Sequence, residues 1–172
     1  GRTAKPLRGS PAAAASVMQL KGSEIMHGGC ACGAVRYEYH GNPVVSYKCH
    51  CSDCQTYSSS GYVALFWAWS QSFAFSCGTP TWRVYPGSSK SEVARGFCSV
   101  CGTPVATRLG VLPLVMGVPA LSLDSPSVFV PEYETWTSSV RSWDALDPSI
   151  THFEGNFTGD FIEQRLLGAG NA

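Results

Sequence analysis

The chain has 172 residues, 44% of them hydrophobic, with five Trp, seven Tyr and eight Phe. That is enough apolar material for one sizeable core, which excludes disorder for its middle. Twelve basic residues balance twelve acidic ones with no Lys/Arg run, so neither nucleic acid nor an anionic membrane surface is an expected partner, and no apolar stretch reaches the ~20 residues of a membrane helix.

Residues 1–22 carry Arg2, Lys5 and Arg8 ahead of an alanine run, Ala12–Ala15, and no acid precedes Glu24. This composition reads as a tail, either a presequence or a cloning remnant, set apart from a single domain over 23–172. Short alternating runs then read as strands: Ala34–Tyr39, Tyr62–Trp69, Thr81–Tyr85 and Pro104–Arg108. Turn signals separate them at Gly41-Asn42-Pro43, Gly78-Thr79-Pro80 and Pro86-Gly87-Ser88. No segment sustains a 3.6-residue apolar period. The expected fold class is therefore all-β, with short antiparallel strands and helix only near the ends. The Phe161–Leu167 stretch reads as either a helical turn or a strand.

Seven of the eight cysteines are bunched as Cys30/Cys32, Cys49/Cys51/Cys54 and Cys98/Cys101. Cysteines one or two residues apart cross-link remote segments poorly but grip one ion well, so metal binding is expected in preference to four disulfides. Reduced thiols in turn imply a cytoplasmic, reducing compartment. Cys98-Ser-Val-Cys101-Gly102 has the form of a knuckle in which both thiolates face one centre while the glycine turns the backbone behind them. Cys30-Ala-Cys32-Gly33 is its complement, since residues two apart in an extended segment point the same way. Together they make a closed, four-thiolate structural zinc site.

The triplet Cys49-His50-Cys51-Ser52-Asp53-Cys54 offers three thiolates and no fourth local ligand. Three protein ligands with an open position mark a working zinc rather than a structural one. Two zinc ions per chain are thus expected. A centre of formal charge −1 ionises water weakly, but it suits an exchangeable thiolate or a carbonyl or alkoxide oxygen. A second partition stays open, in which Cys51 and Cys54 join Cys98 and Cys101 in one zinc ribbon and leave Cys30, Cys32 and Cys49 spare.

His50, between two ligands, is expected to point away from their ion and to support or pack beside it. Asp53 is either a proton-transfer group or a turn residue. Lys48 and Arg95 flank zinc motifs, each as an anchor for a substrate carboxylate or as a solvated surface charge. Cys77 reads as a small buried hydrophobe, and His27 as a pocket residue or a solvated one. Phe66, Trp67 and Trp69 are expected in the core, with one or two lining a cleft.

The order Gly29-Cys30-Ala-Cys32-Gly33-Ala-Val35-Arg36-Tyr37, Cys49-His50-Cys51-Ser-Asp-Cys54 and Gly96-Phe97-Cys98-Ser-Val-Cys101-Gly102-Thr103 resembles the glutathione-dependent formaldehyde-activating enzymes, a family that includes the CENP-V-like proteins. The resemblance spans roughly residues 28–145. It extends through Leu123-Asp124 and through Pro131–Trp136 with Arg141 and Trp143. It implies a β-tent of sheets, a structural zinc on Cys30, Cys32, Cys98 and Cys101, and a catalytic zinc on Cys49, Cys51 and Cys54. It also implies a carbon–sulfur lyase-like enzyme whose small-molecule partners are glutathione, or another thiol, and formaldehyde. The sequence departs from the family after Cys54, where many members carry Arg and then Ser-Gly, and this chain has Gln55-Thr-Tyr-Ser58-Ser59-Ser60-Gly61. A scaffold acting on a different metabolite without glutathione, and a zinc-stabilised binding module of CENP-V type, are the alternatives.

Overall fold

Alternating apolar runs do become strands. A computed structural model describes residues 25–86 and 92–168; the tail over 1–22 and the Gly87-Ser88 turn lie outside the described residues. The strands are β1 (Ile25–Gly29), β2 (Arg36–His40), β3 (Val45–Cys49), β4 (Val63–Trp69), β5 (Phe73–Cys77), β6 (Thr81–Pro86), β7 (Glu92–Phe97), β8 (Pro104–Leu109), β9 (Val115–Pro119), β10 (Tyr133–Thr135) and β11 (Thr151–Phe153). Two helices are present, α1 (Ser52–Ser58) and α2 (Gly159–Gly168). The all-β expectation holds, and Phe161–Leu167 is helical. The restriction of helix to the ends does not hold, because α1 begins directly inside the central cysteine triplet. At seven residues, α1 is too short for a helical period to register in an 11–18-residue window.

The strands form a three-stranded sheet, β1-β2-β5, and an eight-stranded sheet, β11-β10-β3-β4-β9-β8-β7-β6. Pairing is antiparallel except at β10, which runs parallel to both β3 and β11. Central strand β4 is buried on both faces, so its sequence Val-Ala-Leu-Phe-Trp-Ala-Trp is apolar throughout. Phe66 and Ala68 face the small sheet and join Met26, Tyr37, Tyr39, Met116 and Val118 in one core. Trp67 faces the other way, into a second core with Val45, Tyr47, the cysteine triplet and Phe157, flanked by α2. The three aromatic residues expected in the core thus divide between its two halves, with Trp69 at the border of both.

The polar tips of Tyr37, Tyr39 and Trp67 in these cores are paired, which avoids a penalty of roughly 1–3 kcal/mol each. The Tyr37 hydroxyl lies 2.7 Å from Ser122 Oγ, Tyr39 donates to the Asn42 carbonyl at 2.7 Å, and Trp67 Nε1 donates to Tyr47 Oη at 3.0 Å. Phe157 collects Tyr47, Trp67, Tyr133, Phe153 and Phe161 at centroid distances of 4.6–5.9 Å. Through these rings α2 closes the second core. Cys77 corrects its expected burial: it is exposed, because β5 is a sheet edge and Cys77 is its last residue.

Candidate metal centres and active-site cavity

Cys30 and Cys32 lie in the β1–β2 loop, and Cys98 and Cys101 in the β7–β8 loop. The two loops share one hydrogen-bond scheme. The Cys30 amide donates to the Val35 carbonyl and the Cys98 amide to the Thr103 carbonyl, while Gly33 and Gly102 donate back to Cys30 and Cys98. Both glycines are left-handed, at φ +78° and +76°, a conformation glycine adopts without a Cβ penalty. The four sulfurs lie within 4.8 Å of one another, with Cys32 Sγ 3.5 Å from Cys30 Sγ and 3.7 Å from Cys98 Sγ. A tetrahedron of sulfurs about 2.3 Å from zinc has edges of about 3.8 Å, so the donor set and its spacing fit that ion. The Val35 amide points at Cys30 Sγ at 3.2 Å, and Thr103 Oγ1 lies 3.2 Å from Cys101 Sγ. That hydroxyl, with the Thr103 amide, pulls the Cys101 thiol down to about 5.

The second cluster is built at a strand-to-helix junction. Cys49 ends β3, paired to Val63 of β4 and Thr135 of β10. Cys51 is the N-cap of α1, and its sulfur accepts the Cys54 amide at 3.4 Å. Cys54 lies one turn on, so the helix returns a third sulfur to the first two. All three sulfurs lie within 4.8 Å of one another, and this set also suits a metal ion. The three thiols share charge unequally. Hydrogen bonds with Cys49 and Cys54 pull Cys51 well below the usual thiol range, and those with Cys51 and Cys54 hold Cys49 high. The ribbon partition is not formed, since Cys51 and Cys54 belong to a different cluster from Cys98 and Cys101.

The triplet opens onto a cavity of about 140 Å³ on the α-helical side of the large sheet, lined among others by Tyr47, Asp53, Tyr57, Leu65, Trp67 and Arg95. A larger cavity of about 480 Å³ lies on the opposite side, beneath Phe73, Phe75 and Arg108, and no cysteine lines it. The cysteine triplet lines the smaller one. Arg95 is 9% exposed, with its guanidinium 4.2 Å from the Tyr57 ring centroid and Nη2 3.9 Å from Cys54 Sγ. Asp53 reaches the cavity from the first turn of α1.

Strand alternation decides two further residues, turning His50 away as expected and taking Lys48 with it. Lys48 and His50 face away from the cysteines: Lys48 Nζ donates to Glu134 Oε1 at 2.7 Å, and fully buried His50 lies 3.7 Å from Glu134 Oε2. Lys48 is therefore not among the residues lining the cavity. His27 is half-exposed, 3.9 Å from Glu38, and lines a separate depression with Met26 and Leu123.

Several residues of the site were given no role in it by the sequence. Tyr57, Trp136 and Asn156 line the cavity. Buried Gln55 ties α1 to the later chain, donating to the Ser139 carbonyl at 3.0 Å and accepting from Arg141 Nε at 2.8 Å. Tyr57 sits one helical turn beyond Cys54, and the family resemblance runs through Trp136, Arg141 and the departure at Gln55, so these were within reach, whereas Asn156 was not.

Two separate cysteine clusters, one carried by paired loops and one open to a cavity, define a β-sheet protein with two sets of thiols that could each hold a metal ion. A family model described as "Glutathione-dependent formaldehyde-activating enzyme" matches residues 25–139, and the chain belongs to that family. A solved structure of a Rhodobacter sphaeroides protein, a structural-genomics target, is 18% identical, with 74% of this chain and 99% of that one covered at a TM-score of 0.47. No curated protein matches.

Proposed function

We propose that the protein is a zinc-dependent, carbon–sulfur lyase-like enzyme that adds a thiol to the carbonyl carbon of a small aldehyde, or reverses that addition. The observation carrying this reading is the three-cysteine cluster at the wall of a small cavity, whereas the four-cysteine cluster lines none of the three cavities described. Membership of a family named for formaldehyde activation with glutathione supports it.

Zinc on Cys49, Cys51 and Cys54 would supply a position that stabilises a substrate thiolate near neutral pH. Cys30, Cys32, Cys98 and Cys101 hold the structural ion in this reading. As the sulfur–carbon bond forms, the carbonyl π pair moves to oxygen, and the proton lost by the thiol ends on that oxygen. Asp53, lining the cavity, is the group assigned to carry the proton. Tyr47, Leu65 and Trp67 form a largely apolar wall that keeps bulk water from the adduct.

A volume of about 140 Å³ falls below the roughly 300 Å³ at which ordinary ligand pockets begin. It holds an aldehyde and the sulfur end of a thiol, not a whole tripeptide. This favours, as a second reading, a thiol smaller than glutathione on the same scaffold. The test is adduct formation from formaldehyde with glutathione, cysteine or 2-mercaptoethanol, followed by exchange NMR. Zinc-loaded protein should speed the exchange and the Cys51→Ser variant should not. Equal, uncatalysed rates with every thiol would sink the enzyme reading in favour of a binding module.

A further inference from the structure

The cavity contains one cation whose place in the fold calls for a reason. Alternation along β7 turns Val93 and Arg95 toward the cavity. Among the described residues Arg95 is the only lysine or arginine lining it, and none of the ion pairs there includes Arg95. Burying a guanidinium without a carboxylate is costly unless it faces compensating charge. That compensation comes from the sulfurs: Nη2 lies 3.9 Å from Cys54 Sγ, while the ring of Tyr57 holds the plane of the guanidinium at 4.2 Å. Three thiolates with a dication carry −1, and Arg95 offsets that charge beside Cys54.

We infer that Arg95 is a catalytic residue that holds the carbonyl oxygen of the small aldehyde, a role that the extra charge of an oxo acid would oppose. The inference rests on the thiol-addition reading above. An incoming thiolate brings one negative charge, and forming the sulfur–carbon bond moves that charge onto the carbonyl oxygen. An oxygen beside the Cys54 sulfur is within donor reach of the guanidinium, which is fixed before the charge arrives; such preorganised donors favour the transition state over the ground state. An oxo acid would bring a second negative charge to a cavity that, among the described residues, sets one guanidinium against the thiolates and Asp53, with walls formed by Val63, Leu65 and Leu109. The charged ends of the thiol remain at the mouth for the same reason.

The experiment compares zinc-loaded wild type, Arg95→Gln and Arg95→Lys, using formaldehyde, acetaldehyde and glyoxylate with glutathione and with 2-mercaptoethanol. Metal content and the visible spectrum of the cobalt form on adding 2-mercaptoethanol are read alongside the rates. Wild type should favour the two neutral aldehydes over glyoxylate by about tenfold or more in kcat/KM. Arg95→Gln should keep both metals and the thiol-induced spectral change, leave KM for the thiol unchanged, and lose roughly 100-fold or more in kcat. Arg95→Lys should fall between, because a point charge replaces a planar fork, and it carries the comparison if Arg95→Gln does not fold. An unchanged kcat, a loss confined to KM for glutathione, loss of the triplet's metal, or a preference for glyoxylate would each overturn the assignment. Wild type inert with every thiol and aldehyde would instead overturn the thiol-addition reading itself.

Discussion

Cys51 serves two purposes with one sulfur: it caps α1 by accepting the Cys54 amide, and it belongs to the triplet. The two roles separate by substitution. Cys51→Ser keeps an oxygen able to cap the helix, so it should lose one metal and the activity while its melting temperature stays near wild type. Cys51→Ala should lose the metal and also about 0.5–2 kcal/mol of stability with the cap. Metal analysis and thermal melts distinguish them, and equal stability in the two variants would remove the capping role. At this scale the sequence was most informative where ligands are neighbours. C-x-C and C-x-x-C spacing dictates convergence of sulfurs locally, so the grouping of seven cysteines was legible. The fates of Lys48 and Arg95 were not, since they depend on which face of β3 and β7 meets the cavity. Only pairing between distant strands decides that.

At the level of elements, α1 is the part that pairing and packing must hold still. Its N-terminus is fixed by β10, because the His50 amide donates to the Thr135 carbonyl at 3.0 Å. Its middle is tied by Gln55 to Ser139 and Arg141. Loss of groups that orient metal ligands typically costs about 10–100-fold in metal affinity, and Gln55→Ala or Arg141→Ala should weaken the triplet's zinc toward that range. Competitive chelation would measure it, with the four-cysteine site unchanged as internal control; an equal loss at both sites would point to general destabilisation instead. The brace was invisible in the sequence because Gln55 and Arg141 are 86 residues apart. β10 was marked only by the family resemblance over Pro131–Trp136: three residues, Tyr133–Thr135, are too few to show alternation, and its parallel partners give no hairpin signal.

Across the whole molecule, the cores are rich in buried phenols. Burial pushes Tyr37 and Tyr57 up to about 12, and it raises Tyr39 and Tyr47 as well. The unfolded chain releases these protons near pH 10. A group whose folded value is raised contributes stability that is complete below the unfolded value and is lost as pH rises toward the folded one. Zinc-loaded protein should therefore lose stability as pH climbs from about 10 to about 12, seen as a falling urea midpoint alongside cooperative growth of tyrosinate absorbance. Tyrosinate appearing gradually near pH 10, without unfolding, would contradict the buried arrangement. The β class, four of the strands and the number of clusters were legible in composition and spacing. The division into sheets of three and eight strands was not, because it rests on contacts between segments far apart in the chain.

The four-cysteine cluster also acts on the state in which none of this structure exists. Cys32 and Cys98 stand 66 residues apart, and tying two such points together in a disordered chain costs roughly 4 kcal/mol of configurational entropy. An ion that stays bound through denaturation keeps the unfolded polymer looped, as a covalent link would, and shrinks the ensemble to which folding is compared. Chelator and denaturant are then not independent agents. Removing the ion frees the chain's ends from each other, so the denaturant slope should steepen as the midpoint falls. A chelator that moves the midpoint and leaves the slope untouched would mean that the ion departs before the chain expands.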